Sequence, residues 1–259
     1  MLGSYEKFKS SIYSLTKIDL NSYKENQMRR RIDSLITKNN VLSYDSYVEL
    51  LRKDAEKFRQ FVNFLTINVS EFYRDPVHWN FLHTNIIPDL IHRFGKSLKI
   101  WSAACSTGNE PYSLVMAFSR YLPLSQIKIM ATDIDRQVLD AARIGLYNEK
   151  SIAGVPPDLK RRFFTKVGDS YQISKDIKAR VEFQEHNLLR DAYLTGCHLI
   201  VCRNVLIYFT EQARDEVYRK FNQSLVRDGV LFIGSAEQMI NYRELNFERK
   251  TLVFFSKIK

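Results

Sequence analysis

Cysteine and histidine are scarce in this chain, and neither is arranged for metal binding. Its three cysteines, Cys105, Cys197 and Cys202, form no CxxC pair, and its five histidines show no ligand spacing with cysteines or acids. An odd, unpatterned cysteine set argues against a disulfide framework or a zinc site and is typical of a reducing compartment. We therefore expect a cytoplasmic protein that needs no metal.

Long apolar runs are also missing. No run approaches the roughly 20 residues that span a bilayer, and residues 1–13 contain no apolar stretch typical of a secretory signal. Only 9 glycines and 6 prolines occur among 259 residues, which argues against long disordered tails. Hydrophobic residues make up 45% of the chain, so we expect a globular protein that is not inserted in a membrane.

Positive charge is in excess, with a formal net charge of +10. Such a balance suits nucleic acid, an anionic membrane or an acidic protein surface as partner. The one tight basic cluster is Arg29, Arg30 and Arg31. It is interpreted either as a solvated helix face or as a docking surface, and no nucleic-acid motif accompanies it. Because the apolar stripe over 28–35 defines the inward face, at least two of the three arginines must meet solvent or a partner.

Residues 1–70 are patterned as four short amphipathic helices. Asn21 or Ser22 is expected to cap the second helix and Ser43 the third. The expected inward positions, all at helical spacing, are Phe8, Ile12, Leu15, Met28, Ile32, Leu35, Tyr47, Leu51, Phe58, Phe61, Val62 and Leu65. This pattern predicts a small all-helical N-terminal domain without chemistry of its own.

From residue 71 to 259 the pattern predicts a second domain. Asp75-Pro76 is a helix start, and from Leu98 onward strand-like and helix-like runs alternate. The apolar runs are 98–101, 127–131, 180–183, 198–202, 229–233 and 251–255. Such alternation predicts an α/β fold with a mostly parallel sheet. The last two runs lie too close together for a helical crossover, which predicts an antiparallel edge strand at the tail.

One polar stretch interrupts the alternation. Residues 145–178 carry Pro156-Pro157 and a short apolar run, Tyr171 to Ile173, next to Gly168-Asp169. We interpret it as an insertion that holds a small subdomain, at about 154–180, with a hairpin.

The stretch from Ile100 to Ser113 is patterned as strand, tight turn and helix. A helix start with small residues before it is where an open α/β sheet binds a nucleotide-like ligand. Glu110 lies at the exit of that turn. Asp133 ends the next apolar run, where an acidic residue usually accepts hydrogen bonds from ribose, and Asp135 is the better helix N-cap.

Two asparagines also follow strand-like runs. Asn204 ends the run from Leu199 to Cys202 and is expected at the same edge of the sheet. Asn187 suits either an adenine edge or a turn before Leu188, and its position alone does not separate the two.

Four blocks together resemble one family, the chemotaxis receptor glutamate O-methyltransferases, or CheR family. The blocks are Asn68–Arg74, Trp101–Ser113, Ala131–Asp135 and Cys202–Phe209, in this order. Members often carry Thr at the position of Ser70 and Glu at the position of Asn109, so this chain keeps a hydroxyl at the first and lacks a charge at the second.

The resemblance implies a Rossmann-like class I methyltransferase sheet, with S-adenosylmethionine as methyl donor and glutamate carboxylates as acceptor. It implies that Arg74 and Tyr208 are the polar groups nearest the transferred methyl group. The implied cofactor contacts are Asn68, Ser70, Arg74, Glu110, Asp133, Asn187, Leu188, Arg203 and Asn204. No metal is implied.

The implied partner is the cytoplasmic helical region of methyl-accepting receptors, for which Arg29, Arg30 and Arg31 form a suitable basic surface. Some family members bind a receptor's C-terminal pentapeptide through the inserted subdomain, and its short turn at Val167–Ser170 favours no such binding here. The alternatives are a class I methyltransferase acting on RNA or another substrate, a binding module without turnover, and a nicotinamide-dependent oxidoreductase. The cofactor turn lacks the GxGxxG spacing that the oxidoreductase would use.

Overall fold

The structure is a computed structural model that describes residues 2–258. Two compact units make up the chain. One runs to Asn68 and takes in Leu206–Glu216, and the other comprises Val69–Val205 and the chain from Val217 onward. No helix within residues 2–258 is both long and apolar enough to cross a membrane.

Four helices form the first unit, as predicted. They are α1 (Tyr5–Thr16), α2 (Glu25–Lys38), α3 (Tyr44–Lys53) and α4 (Ala55–Thr66). Their amphipathic stripes pack into an aromatic core in which the Phe8 and Tyr44 rings lie 4.7 Å apart and the Tyr47 and Phe61 rings 5.8 Å apart. The inward stripe of α2 differs slightly from the prediction, because Ile36 is fully buried and Leu35 only half-buried.

One of the two predicted helix caps in this unit is confirmed. Ser43 caps α3, with its hydroxyl oxygen accepting the Ser46 N–H at 3.1 Å. The prediction for α2 is wrong, because Asn21 and Ser22 lie in a short 3₁₀ turn that Asp19 caps. The Asp19 carboxylate accepts the Asn21 N–H at 3.0 Å, which fixes that turn before α2 begins.

The segment Leu206–Glu216 belongs to the helical unit, whereas the sequence predicts one continuous domain over 71–259. The Lys24 N–H donates to the Tyr208 carbonyl, and the Thr210 N–H donates to the Ser22 carbonyl, both at 2.9 Å. The Tyr23 and Phe209 rings meet edge to face at 5.0 Å. These contacts join residues far apart in the chain, so no local pattern indicates them.

The second unit opens on a helical stretch, as predicted from Asp75-Pro76. Pro76 is the first residue of α5 (Pro76–Phe81), which continues through a π-helical turn (Leu82–Ile86) into α6 (Ile87–Phe94). Gly95 ends it with a positive φ of 74°, a conformation that favours glycine.

A seven-stranded sheet forms the core of this unit. Its members are β1 (Ile100–Ala103), β2 (Ile129–Asp133), β6 (Val181–Glu185), β7 (Cys197–Cys202), β8 (Leu225–Ile233), β9 (Phe247–Arg249) and β10 (Phe254–Lys257), in the order β6-β2-β1-β7-β8-β10-β9. Helices α7 (Asn109–Phe118), α8 (Arg136–Ile144) and α11 (Glu211–Ser224) lie between its strands along the chain. The expected α/β fold is confirmed.

Strand β10 is antiparallel to both of its neighbours, which confirms an antiparallel tail strand. Its predicted place at the edge is wrong, because β10 lies between β8 and β9. Strand β9 has only three residues, Phe247–Arg249, and only Phe247 of them is buried. So short a strand has no readable alternation, which is why the sequence does not predict it.

The insertion folds as a three-stranded antiparallel sheet with two short helices. The strands are β3 (Leu146–Asn148), β4 (Phe164–Val167) and β5 (Ser170–Ile173), in the order β3-β5-β4, and the helices are α9 (Pro157–Phe163) and α10 (Lys175–Lys178). The β4–β5 hairpin turns at Gly168-Asp169, as predicted. Strand β3 begins at Leu146, before the predicted start of the subdomain at about 154.

Candidate cofactor site

The carboxyl ends of three neighbouring strands meet at one edge of the sheet. Strand β1 pairs in parallel with β2 on one side and with β7 on the other. The segments that follow these strands therefore converge, as they do where open α/β sheets bind ligands. Glu110, Asp133, Arg203 and Asn204 all lie on these segments or at these strand ends.

The turn after β1 is tightly constrained. Ala104, Ser106 and Gly108 have positive φ values of 62°, 48° and 86°. A Cβ atom on Gly108 would lie 2.9 Å from Ala142 Cβ, closer than van der Waals contact allows. Only glycine therefore fits before α7 begins at Asn109.

Two buried polar atoms of this turn have no hydrogen-bond partner among residues 2–258. They are the Ser106 hydroxyl and the Asn109 Nδ2 amide. The other side-chain atom of Asn109, Oδ1, accepts the Thr107 hydroxyl at 2.7 Å. Buried polar groups are normally hydrogen-bonded, so both atoms are available to a polar ligand on this turn.

The Asp133 carboxylate organises the same turn. Its Oδ2 accepts the Ser106 N–H at 2.8 Å and its Oδ1 accepts the Asp135 N–H at 3.1 Å. Asp133 is 6% exposed, and burial raises its pKa to about 6. Each carboxylate oxygen can accept a further hydrogen bond, for example from a ribose hydroxyl. Asp135 caps α8 through the Gln137 N–H at 2.9 Å, as predicted.

Glu110 lies in the first turn of α7. The Ser102 hydroxyl donates to its Oε1 at 2.8 Å. Burial raises the pKa of Glu110 to about 7, while the nearby Arg203 guanidinium acts in the opposite direction. A cationic ligand group would favour the ionised carboxylate.

Arg203 is nearly buried and joins the β7 end to the loop that carries Arg74. Its Nη2 donates to the Arg74 carbonyl at 2.8 Å and to Asp75 Oδ2 at 2.9 Å. Its guanidinium also lies over the Phe232 ring, 4.7 Å from the centroid. The sequence does not indicate that Asp75 pairs with Arg203, because a contact across 128 positions has no local signature.

The turn at Asn204 rests on another buried carboxylate, that of Glu237, which the sequence does not single out. Asn204 has a positive φ of 62°. Glu237 Oε1 accepts the Val205 N–H at 2.9 Å, and Oε2 accepts the Gly234 N–H at 2.5 Å. A Cβ on Gly234 would lie 2.8 Å from the Asn204 nitrogen. The feature of the sequence that could have indicated this role is the position of Glu237, an acidic residue four positions after the end of β8.

Ser70 and Arg74 are half-buried residues of the loop that leads into α5. Arg74 Nη1 lies 3.4 Å from the Val69 carbonyl, a weak bond that leaves most of the guanidinium donors for other partners. Tyr73 and Asp75, on either side of Arg74, both have positive φ values, 52° and 61°.

Asn187 forms a turn at the end of β6. Its Oδ1 accepts the Leu189 N–H at 2.9 Å, and its own N–H donates to Asp191 at 2.8 Å. The turn interpretation is therefore confirmed, and the adenine contact stays a prediction. Leu188, the next residue, is 7% exposed.

Asn68 and Tyr208 belong to the helical unit. Asn68 Nδ2 donates to the Thr66 hydroxyl at 2.8 Å, and the Tyr208 carbonyl accepts the Lys24 N–H. The Tyr208 side chain is half-exposed. The cofactor and catalytic roles of these two residues stay predictions.

Comparison with known protein families identifies the family of this chain. A profile described as the SAM binding domain of CheR methyltransferase matches residues 68–253, and one described as its all-alpha domain matches residues 3–66. The chain belongs to the CheR methyltransferase family. It is an S-adenosylmethionine-dependent methyltransferase.

Relatives in this family are similar over nearly their whole length. Chemotaxis protein methyltransferases of Listeria innocua and Listeria monocytogenes are each 40% identical over 240 residues, which cover 93% of this chain and 92% of theirs. The one of Borreliella burgdorferi is 31% identical over 249 residues, which cover 91% and 88%.

The residues of the sheet edge suit S-adenosylmethionine, which carries a ribose, an amino acid moiety and a positive charge. Asp133 and Glu110 are acidic, and the Ser106 hydroxyl and the Asn109 Nδ2 amide are buried with no hydrogen-bond partner in the described part of the chain. Across residues 2–258 there is no group of three or more His, Cys, Asp or Glu side chains placed to bind a metal.

Proposed function

We propose that this CheR family member transfers the methyl group of S-adenosylmethionine to glutamate side chains of chemotaxis receptors, forming methyl esters. The observation that carries the proposal is the convergence of Glu110, Asp133 and the Arg203–Arg74 link at one sheet edge. The names of its relatives support the connection to chemotaxis.

The reaction needs no general base. S-adenosylmethionine supplies a methyl group already activated on a sulfonium, and a glutamate side chain, with a reference pKa near 4.3, is ionised at neutral pH. An oxygen–carbon bond forms, a carbon–sulfur bond breaks, and no proton has to move. The chain must therefore orient the acceptor carboxylate and keep water out of the site.

We infer distinct roles for the two acidic residues. Asp133 accepts hydrogen bonds from ribose hydroxyls with the lone pairs that Ser106 and Asp135 leave open. Glu110, once ionised, attracts the positive charge of the methyl donor. The proposed set of cofactor contacts also includes Asn68, Ser70, Arg74, Asn187, Leu188, Arg203 and Asn204.

We infer that Arg74 orients the acceptor carboxylate. Among the described residues its guanidinium makes only one weak hydrogen bond, so its other donors are available. A grip that is too tight would stabilise the ground state and slow transfer. The Tyr208 hydroxyl is proposed to share this hydrogen bonding.

The helical unit is proposed to dock on the cytoplasmic helices of the receptor, which implies a cytoplasmic location. Arg29 and Arg30 are exposed on α2. Arg31 instead donates to the Phe64 carbonyl at 2.7 Å and lies 4.5 Å from the Phe64 ring centroid. The proposed docking surface is therefore the pair Arg29 and Arg30, with Arg31 holding α2 against α4.

The test is incubation with methyl-labelled S-adenosylmethionine and membranes that carry chemoreceptors. We expect label on receptor protein that is released as methanol by mild base, and equal labelling of a receptor without its last five residues. Label on added RNA, with none on receptor, would favour the RNA alternative and contradict the proposal.

A further inference from the structure

The backbone that carries Arg74 is held in an unfavourable conformation. Tyr73 and Asp75 both have positive φ values, 52° and 61°, and Asp75 also precedes Pro76, which disfavours a helical backbone at that position. Non-glycine residues stay in such conformations only where their surroundings fix them. Arg74, the residue between them, therefore depends on contacts made by its neighbours.

Asp75 makes the contacts that fix the C-terminal side of this loop. Its Oδ2 accepts Arg203 Nη2 at 2.9 Å and the Ser235 hydroxyl at 3.2 Å. The same Nη2 atom donates to the Arg74 carbonyl at 2.8 Å. One nitrogen thus bridges the Arg74 backbone and the Asp75 side chain.

Arg203 is a rigid anchor for this bridge. Its side chain is 3% exposed, and its guanidinium lies over the Phe232 ring. A charge so deeply buried needs a counter-ion, and its direct ion-pair partner is Asp75. The Tyr73 N–H is held separately, by the Ser113 hydroxyl at 3.2 Å.

We propose that Asp75 is a positioning residue for methyl transfer, which fixes the Arg74 backbone through its bridge to Arg203 and Ser235. The inference rests on the proposed role of Arg74 as the residue that orients the acceptor carboxylate. Asp75 itself is proposed to touch neither the acceptor nor the methyl donor. Its effect on turnover passes through Arg74.

Asp75→Asn tests the bridge, because it keeps the side-chain shape and one acceptor oxygen while removing the negative charge that pairs directly with Arg203. We expect turnover on receptor to fall about tenfold to a hundredfold, with a smaller change in the Michaelis constant. In an Arg74→Ala background the same substitution should change turnover by less than about twofold, because residues that act as a unit are not additive.

Two further variants keep the test decisive. Asp158→Asn removes the partner of Arg120, another ion pair of this unit at 2.8 Å, and should leave turnover unchanged. Ser235→Ala removes only the 3.2 Å bond and should lower turnover about twofold to threefold, again only where Arg74 is present. Ser235→Ala still tests the bridge if Asp75→Asn fails to fold.

Amide hydrogen exchange gives a readout that does not depend on the substrate. Asp75→Asn should speed exchange at the amides of residues 72–75, while Asp158→Asn should not. If wild type does not methylate receptors, the proposed function fails whatever this loop does. If wild type is active, unchanged turnover in Asp75→Asn, or an equal loss with and without Arg74, overturns the inference about Asp75.

Discussion

The polar contacts at the carboxyl edge of the sheet differ in kind from those on the basic face of α2. At the sheet edge, Asp133 is 6% exposed and holds two backbone N–H groups, and Arg203 is nearly buried against Asp75. On α2, the Arg29 side chain is 49% exposed, and its Nε atom lies 3.9 Å from the Asp33 carboxylate.

The charges at the sheet edge are buried and those on α2 are exposed, and the two kinds of charge behave differently. Buried charges interact strongly and are little screened by salt, and leaving one unpaired is costly. Exposed charges contribute little to stability but act over about 8 Å at physiological ionic strength, which suits attraction of a partner. Substitutions at the sheet edge should therefore alter cofactor binding or turnover, and substitutions on α2 should alter association in a salt-dependent way.

The largest effect is expected at Arg74. Arg74→Ala should lower turnover on receptor about a hundredfold, because it removes a charge and several donors from the acceptor. Tyr208→Phe removes one hydroxyl and should lower it less than about tenfold. Labelled-methyl kinetics on both variants measure this. Normal turnover of Arg74→Ala with cofactor still bound would contradict the proposed role of Arg74.

The next effect concerns cofactor affinity. Asp133→Ala should weaken S-adenosylhomocysteine binding about tenfold or more in calorimetry, because the ribose acceptor is lost and two buried N–H groups lose their partner. Asp135→Ser is the matched control, since serine also caps helices and α8 is retained. Equal affinity of wild type and Asp133→Ala would remove Asp133 from the site.

Cofactor affinity should also depend on pH. Burial raises the pKa of Glu110 to about 7 and that of Asp133 to about 6. S-adenosylhomocysteine, through its amino group, should bind roughly tenfold more tightly at pH 8 than at pH 6 as Glu110 ionises. Glu110→Gln should remove most of this difference in affinity. An unchanged pH dependence of binding in that variant would exclude Glu110 as the group responsible.

The same groups set a stability trend of opposite sign. Because both pKa values are higher in the folded protein than in the unfolded chain, the folded state binds more protons. Their contribution to the free energy of unfolding is therefore complete below about pH 4 and is lost as the pH rises through 6 and 7. Thermal unfolding without cofactor should show a decline that Glu110→Gln reduces.

The smallest effect is expected on α2. Reversing Arg29 and Arg30 to Glu should raise the Michaelis constant for receptor several-fold at low salt, and the difference should shrink at high salt. Reversing Arg52 and Arg59, on α3 and α4, changes the net charge equally and is the control. An unchanged Michaelis constant for receptor at low salt after the Arg29 and Arg30 reversal would show that the pair is only a solvated helix face.

The sequence predicts well what local pattern controls. The strand, turn and helix around Gly108, the capping role of Asp135 and the antiparallel tail strand all follow from apolar periodicity and turn chemistry. The bridge from Arg203 to Asp75, the Glu237 carboxylate under Asn204 and the membership of Leu206–Glu216 in the helical unit do not. Each joins residues distant in the chain, and only the folded topology brings them together.

Glutamate methylation is tested most directly by mass spectrometry of receptor peptides after incubation with the protein and S-adenosylmethionine. We expect a methyl group on glutamate side chains, lost on mild base treatment, and nearly absent with Arg74→Ala. We also expect reversal of Arg29 and Arg30 to reduce the yield at low salt without changing which glutamates are modified. Base-stable methylation, or methylation of other side chains, would contradict the proposed function.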